Sequence, residues 1–275
     1  MNNNLVKDFL KTTFIIMIIF WGCAAVLSQT LELTINNILL RIMHLIGGFS
    51  PTIASYITLK KYNQVKDFKS WLKKIFEPTK NVLAYVLTIL FVFIYYGVGC
   101  FFNGFSYGAP IFMIVILLPM MLFGGGNEEV GWRMILQPQL EKKFNFHVAT
   151  ILTAFTWWLW HLPLFFIKGT ANANMNYFLF GIMCLTLSYA LATVRKVSNG
   201  TFPCILLHCL INGLSGIFVF NYSVSSCLIT LVITILLSVL ILTWHKKSYN
   251  ISRGKYEQRK NFKNNSYRSY ISFSS

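Results

Sequence analysis

Acidic residues are scarce in this chain. Its 275 residues include 8 Asp and Glu against 24 Lys and Arg, and all charged types together make up 12%. Ordinary soluble domains carry roughly 25%. So few charges cannot cover the surface of a soluble globule, and 55% of the residues are hydrophobic. Lipid is therefore expected to be the solvent for most of the chain. Other signatures are also missing. The six cysteines, Cys23, Cys100, Cys184, Cys204, Cys209 and Cys227, include no C-x-x-C pair and read as small buried thiols. There is no H-E-x-x-H zinc motif, no repeat of hydropathy between halves and no separate soluble domain. No cleavable signal peptide is evident, so the uncharged stretch from Thr12 to Leu31 reads as a retained first helix.

What is present is a series of apolar runs. Eight spans are expected: Thr12–Leu31, Ile35–Leu59, Val82–Phe102, Pro110–Phe123, His147–Ile167, Asn176–Val194, Thr201–Phe220 and Val224–Trp244. The second is interrupted by Arg41, Gly47, Gly48 and Pro51, and the fourth is allowed to continue through the glutamates that follow it. The net charge of +16 does not point to nucleic acid, because the basic residues lie between apolar runs rather than on one soluble face. Alternate loops and both ends hold 21 of the 24 basic residues, while the opposite loops hold one, Lys168. This asymmetry predicts an all-α polytopic bundle of about eight transmembrane helices with cytoplasmic N- and C-termini. The expected organisation is three helices in 1–109 with a basic loop at 60–80, a core at 110–220, a last helix at 221–245 and a basic, disordered tail at 246–275. The 60–80 segment reads equally as an interfacial amphipathic helix or a solvated basic loop.

Ionisable groups at membrane depth are costly and mark function by default. Glu128, Glu129, Arg133, His161 and His208 qualify, with Asn212 as a polar neighbour; Arg41 and His44 are left over. Glu129 and Arg133 stand at i and i+4, a favourable ion-pair spacing. Glu128 is turned about 100° away and is left free for general-base work. His208 and Asn212 are also i and i+4, so both face the same way. Each group has a plainer reading: edge charges for the glutamates and arginine, a packed residue for His161, an interhelical clamp for His208 and Asn212. Converging, they would activate water and stabilise an oxyanion. Glu128, His161 and His208 also resemble a two-histidine, one-carboxylate Zn2+ site, by composition only.

Together the residues carry a resemblance. Glu128-Glu129-Val130-Gly131-Trp132-Arg133 fits E-E-x-x-x-R, Trp157 to His161 fits an aromatic-x-x-x-H, and His208 to Asn212 fits H-x-x-x-N. Three such motifs in order resemble the CAAX-protease and bacteriocin-processing (CPBP, or Abi) family of intramembrane metalloproteases. Trp157 stands where phenylalanine is usual and keeps an aromatic wall. Met134 stands where glycine commonly follows the arginine. Neither departure is expected to touch a catalytic group. The resemblance implies that Glu128, assisted by His161, activates the attacking water. Glu129 would pair with Arg133, and His208 with Asn212 would hold the oxyanion. It implies a peptide or membrane-protein substrate, a multi-pass place in a cell membrane, the bacterial cytoplasmic membrane by the look of the loops, and no nucleic-acid partner. Metal dependence stays open, with carboxylate chemistry slightly preferred. The runner-up is a non-enzymatic scaffold or bacteriocin self-immunity protein of the same fold. A serine protease built on Ser215 lacks a histidine base at membrane depth, and the aspartates Asp8 and Asp67 lie in soluble segments.

Overall fold

The computed structural model describes residues 1–247. The expected disordered tail lies, from residue 248 on, outside the described residues. Two compact units make up the chain, Met1–Ile235 and Leu236–Ser275. The second is described as far as Lys247 and is helical there.

The fold is all-α apart from one two-residue strand pair, β1 (Ser106–Tyr107) with β2 (Phe218–Val219). Helix α1 runs Asn3–Thr30, and the bent pair α2 (Ile38–Gly48) and α3 (Ser50–Lys61) turns by 43°. The bend falls at Phe49, between Gly48 and Pro51, where the sequence had flagged an interruption. Then come α4 (Phe68–Phe76), α5 (Val82–Asn103) and the short α6 (Ile111–Met120). A 3-10 turn, Gly126–Glu128, leads into α7 (129–140), which contains a π turn at Trp132–Leu136. The last helices are α8 (Phe146–Trp160), α9 (Tyr177–Ser198), α10 (Phe202–Ser215) and α11 (Val224–Lys247). Five starts share one device: the side chains of Asn2, Asn37, Asn81, Asn145 and Asn176 each accept a backbone N–H of the first turn.

Five helices are long and apolar enough to cross a membrane, or six if α2 and α3 form one broken span. The other two expected spans correspond to α6 and α10, which are shorter than the roughly 20 residues of a simple crossing. The fourth span does not continue through the glutamates. The chain leaves α6, turns at Gly124 and Gly125, and starts again. Gly125 adopts φ +141°, which a side chain would strain. Large apolar side chains stand exposed along the helices, among them Ile18, Val26, Phe93 and Val115, as lipid contact requires.

Segment 60–80 contains a helix. Asp67 caps α4 with a reciprocal pair of bonds to Ser70, and the Ser70 backbone N–H holds the Asp67 carboxyl below its ordinary value. Trp71 and Ile75 are buried, and the Trp71 indole N–H donates to Ser55 of α3 at 3.0 Å. Lys69, Lys73 and Lys74 stay exposed.

Trp21, Trp132 and Trp160 form a buried aromatic seam joining α1, α7 and α8. Trp21 and Trp160 lie 4.3 Å apart by ring centroids, and Trp132 and Trp160 5.8 Å apart. Trp21 donates to the His44 carbonyl and Trp160 to the Ser50 hydroxyl, so the seam also grips the bend. In lipid, where helices gain nothing by hiding apolar surface from water, such close packing and hydrogen bonding holds the bundle. The leftover Arg41 caps local backbone: its Nε donates to the Ile35 carbonyl at 3.0 Å.

Candidate active site

The six residues drawn from the motifs lie on three elements. Glu128, Glu129 and Arg133 come from the 3-10 turn and α7, His161 from the C-terminal end of α8, and His208 and Asn212 from α10. Glu129 and Arg133 have no exposed surface, and Glu128, His161 and His208 have 8%, 7% and 3%. The edge-charge reading of the glutamates therefore does not hold.

Trp157 on α8 sits among them. Its ring lies 5.5 Å from the His161 ring and 5.4 Å from the His208 ring, and the Arg133 guanidinium lies 5.1 Å over it. Its indole Nε1–H donates to Glu128 Oε2 at 2.6 Å. This corrects the expectation that the exchange of phenylalanine for tryptophan touches no catalytic candidate. A ring read as a hydrophobic wall also carries a donor, and that donor finds the carboxylate.

Glu128 Oε2 lies 4.0 Å from His161 Nε2. That is too long for a direct hydrogen bond. It suits one water giving an O–H to each, since such bonds run about 2.8 Å. His161 Nδ1 meets the Trp157 carbonyl at 2.8 Å. The helix makes room for this contact. As α8 ends, the His161 backbone N–H turns to the Trp158 carbonyl and leaves that of Trp157 free. With Nδ1 donating, Nε2 presents its lone pair toward Glu128.

Glu129 answers two partners. Its Oε2 lies 3.2 Å from an Arg133 Nη, and its Oε1 meets His208 Nδ1 at 2.7 Å. Arg133 also donates to the Ser188 hydroxyl on α9 at 2.8 Å, and its backbone carbonyl accepts from Arg195 Nε at 2.9 Å. Ser188 gave no signal in the sequence, since one serine in an apolar helix has no spacing to betray it. Asn212 is partly exposed and donates from Nδ2 to the Gly124 carbonyl at 2.8 Å. A Cβ on Gly125 would lie 2.3 Å from Asn212 Nδ2 and 2.8 Å from His208 Nε2. The glycine run 124–126 is thus a wall of bare backbone against His208 and Asn212. That clustering was visible in the sequence, but nothing there said what it faced. Ser215 donates to the Asn212 carbonyl at 2.7 Å, which gives it no role as a nucleophile here.

Against zinc, the donor chemistry is half right. Both imidazoles have the second-nitrogen partner that metal-bound imidazoles usually have, the Trp157 carbonyl for His161 and Glu129 for His208. Yet among the described residues no group of three or more His, Cys, Asp or Glu is arranged to hold a metal ion. The set does not fit as it stands.

Residues 109–214 match the model of a family described as Type II CAAX prenyl endopeptidase Rce1-like. This bears out the family read from the three motifs. All six motif residues fall inside the matched segment. The chain is also 28% identical, over 179 residues, to a protein named CAAX prenyl protease 2 from Methanococcus maripaludis. The matched region covers 60% of this chain and 64% of that relative, so the chain spans less than two-thirds of the relative's length.

Proposed function

Starting from the Rce1-like segment at 109–214, we propose that the chain is an intramembrane endopeptidase acting on a membrane-associated peptide or protein. The observation that carries the reading is the 4.0 Å gap between Glu128 Oε2 and His161 Nε2, two acceptors aimed at one water position. Glu128 takes a proton from that water while His161 orients its second O–H. The hydroxide adds to the scissile carbonyl carbon. Collapse of the tetrahedral intermediate breaks the C–N bond, and the proton held by Glu128 passes to the leaving amine.

The oxyanion falls to His208 and Asn212. The Asn212 amide has a second N–H beyond the one given to Gly124. His208 already offers Nδ1–H to Glu129, so donation from Nε2 as well makes it an imidazolium. With Glu128 and Glu129 as carboxylates and Arg133 as a guanidinium, the four charges then balance. Such a balance lets charged groups persist away from water. The bare backbone at Gly125 leaves the space in which an oxyanion would sit.

The setting is a cell membrane, with the site opening toward the cytoplasm and the substrate reaching it from the bilayer. The relative's name specifies a CAAX prenyl substrate, and a prenylated peptide is the first probe to try here. The decisive experiment compares the peptides of cells carrying the wild-type chain and Glu128→Gln, a near-isosteric change. Processed products should vanish in the variant. A scaffold or self-immunity protein of the same fold would keep its phenotype with glutamine at 128, and that result would sink the enzyme reading.

A further inference from the structure

We propose that Trp157 is a positioning residue for Glu128, acting through its indole N–H rather than through its ring alone. The proposal rests on the reading of Glu128 as the water-activating base. Three observations support it. The first is the 2.6 Å bond from Trp157 Nε1 to Glu128 Oε2, the same oxygen that lies 4.0 Å from His161 Nε2. Among the described residues, this indole is the one hydrogen-bond donor to the Glu128 side chain.

The second is that the Trp157 carbonyl accepts from His161 Nδ1. One residue therefore fixes both ends of the water bridge. The side chain holds the base, and the main chain holds the tautomer of its partner. The i, i+4 spacing of Trp157 and His161 at a helix end makes the second contact possible, and the reach of the indole makes the first.

The third is burial. Trp157 is 3% exposed and Glu128 8%. A carboxylate with so little water around it, and with Arg133 and His208 close to the same ring, needs a donor to settle its orientation. A phenylalanine would keep the aromatic surface against His161, His208 and Arg133. It would leave Glu128 Oε2 free to turn toward a cation and away from the water position.

Two measurements test this on the full chain in lipid nanodiscs. The chain has 7 tryptophans, so indole-15N labelling gives seven N–H resonances, and Trp157→Phe identifies its own. That resonance should lie downfield and move upfield in Glu128→Ala. No movement would overturn the proposal without any substrate being needed. The second measurement uses a quenched fluorescent peptide with a prenylated cysteine three residues before its C-terminus. Trp157→Phe should lower kcat by roughly tenfold or more, the worth of one hydrogen bond to a charged group, with KM unchanged. A folded Trp157→Phe with wild-type kcat would also overturn it. Full activity in Glu128→Gln is a separate failure. It would remove Glu128 as the base while the resonance shift still reports whether the indole clamp exists.

Discussion

Glu129 holds His208 by its Nδ1 nitrogen at 2.7 Å while facing Arg133 with its other oxygen. The expected pairing of Glu129 with Arg133 is thus half of its work. The same carboxylate orients the imidazole assigned to the oxyanion, so a change at 129 should be felt in the chemistry as well as in the fold. Glu129→Gln keeps the shape but can offer only one acceptor oxygen. It should lower kcat by roughly 10- to 100-fold, the cost of weakening one charge-assisted bond. Kinetics on the prenylated probe check this, and unchanged kcat would reduce Glu129 to a structural ion.

Arg133→Ala tests the ion pair from the other side. Neither partner has exposed surface, so removing the guanidinium strands a buried carboxylate. The expected loss is about 3–5 kcal/mol of stability. Ser188 loses its partner too. Lower membrane abundance and a lower Tm should follow, and a stability equal to wild type would mean that water reaches the pair.

Gly125→Ala separates site geometry from packing. The new methyl would press on Asn212 Nδ2 and His208 Nε2, and the backbone φ of +141° is itself hostile to a side chain. The strain should cost roughly 1–3 kcal/mol. Activity should fall much further than stability, because the methyl takes the place proposed for the oxyanion. A variant cleaving the probe at the wild-type rate would move the oxyanion elsewhere.

Topology is open to a direct check. The concentration of 21 basic residues on alternate segments leads to eight crossings with both ends in the cytoplasm. That count requires α6 and α10 to cross with help from the irregular backbone beside them. Reporter fusions after Lys61, Lys143, Lys196 and Lys247 should all read as cytoplasmic. A periplasmic signal from any of them breaks the alternation.

Metal dependence is decided by elemental analysis. If carboxylate and imidazole suffice, chelator-washed protein should keep its kcat and carry no stoichiometric zinc. If zinc is held by Glu128, His161 and His208, it must draw those side chains together from where they now stand, and its removal and return should switch activity off and on. The second outcome would replace the water bridge with a metal-bound water.

Much of this was legible in the sequence, for reasons that can be named. Hydropathy located α1, α5, α8, α9 and α11 because lipid imposes a single rule on every spanning residue. The bend between α2 and α3 was announced by Gly47, Gly48 and Pro51. Spacing placed Glu129 with Arg133, since one helical turn brings i and i+4 together whatever the tertiary fold. Contacts between elements were another matter. No spacing links Arg133 to Ser188 or Glu129 to His208, since these distances depend on how α7, α9 and α10 pack. Trp157 was misjudged for a different reason. Weighing it by shape against phenylalanine ignored the one atom by which the two rings differ chemically. The end of α6 was missed because the apolar run continues to Phe123 while the backbone has already turned.

The π turn at Trp132–Leu136 has a consequence for how this chain tolerates changes in length. A π turn takes in one residue more than an α turn to make the same circuit. Deleting Met134, which is partly exposed, would let the segment close as ordinary α-helix with its hydrogen-bond ladder intact. All six motif residues would still be present. Yet the stretch beyond the deletion would be rotated by about 100° relative to the glutamates. Gln137, which now donates to Thr150 of α8 at 3.1 Å, would swing off that helix or drag Glu128 out of reach of His161. A homologue one residue shorter here could therefore read as intact by its motifs and still be unable to assemble the site.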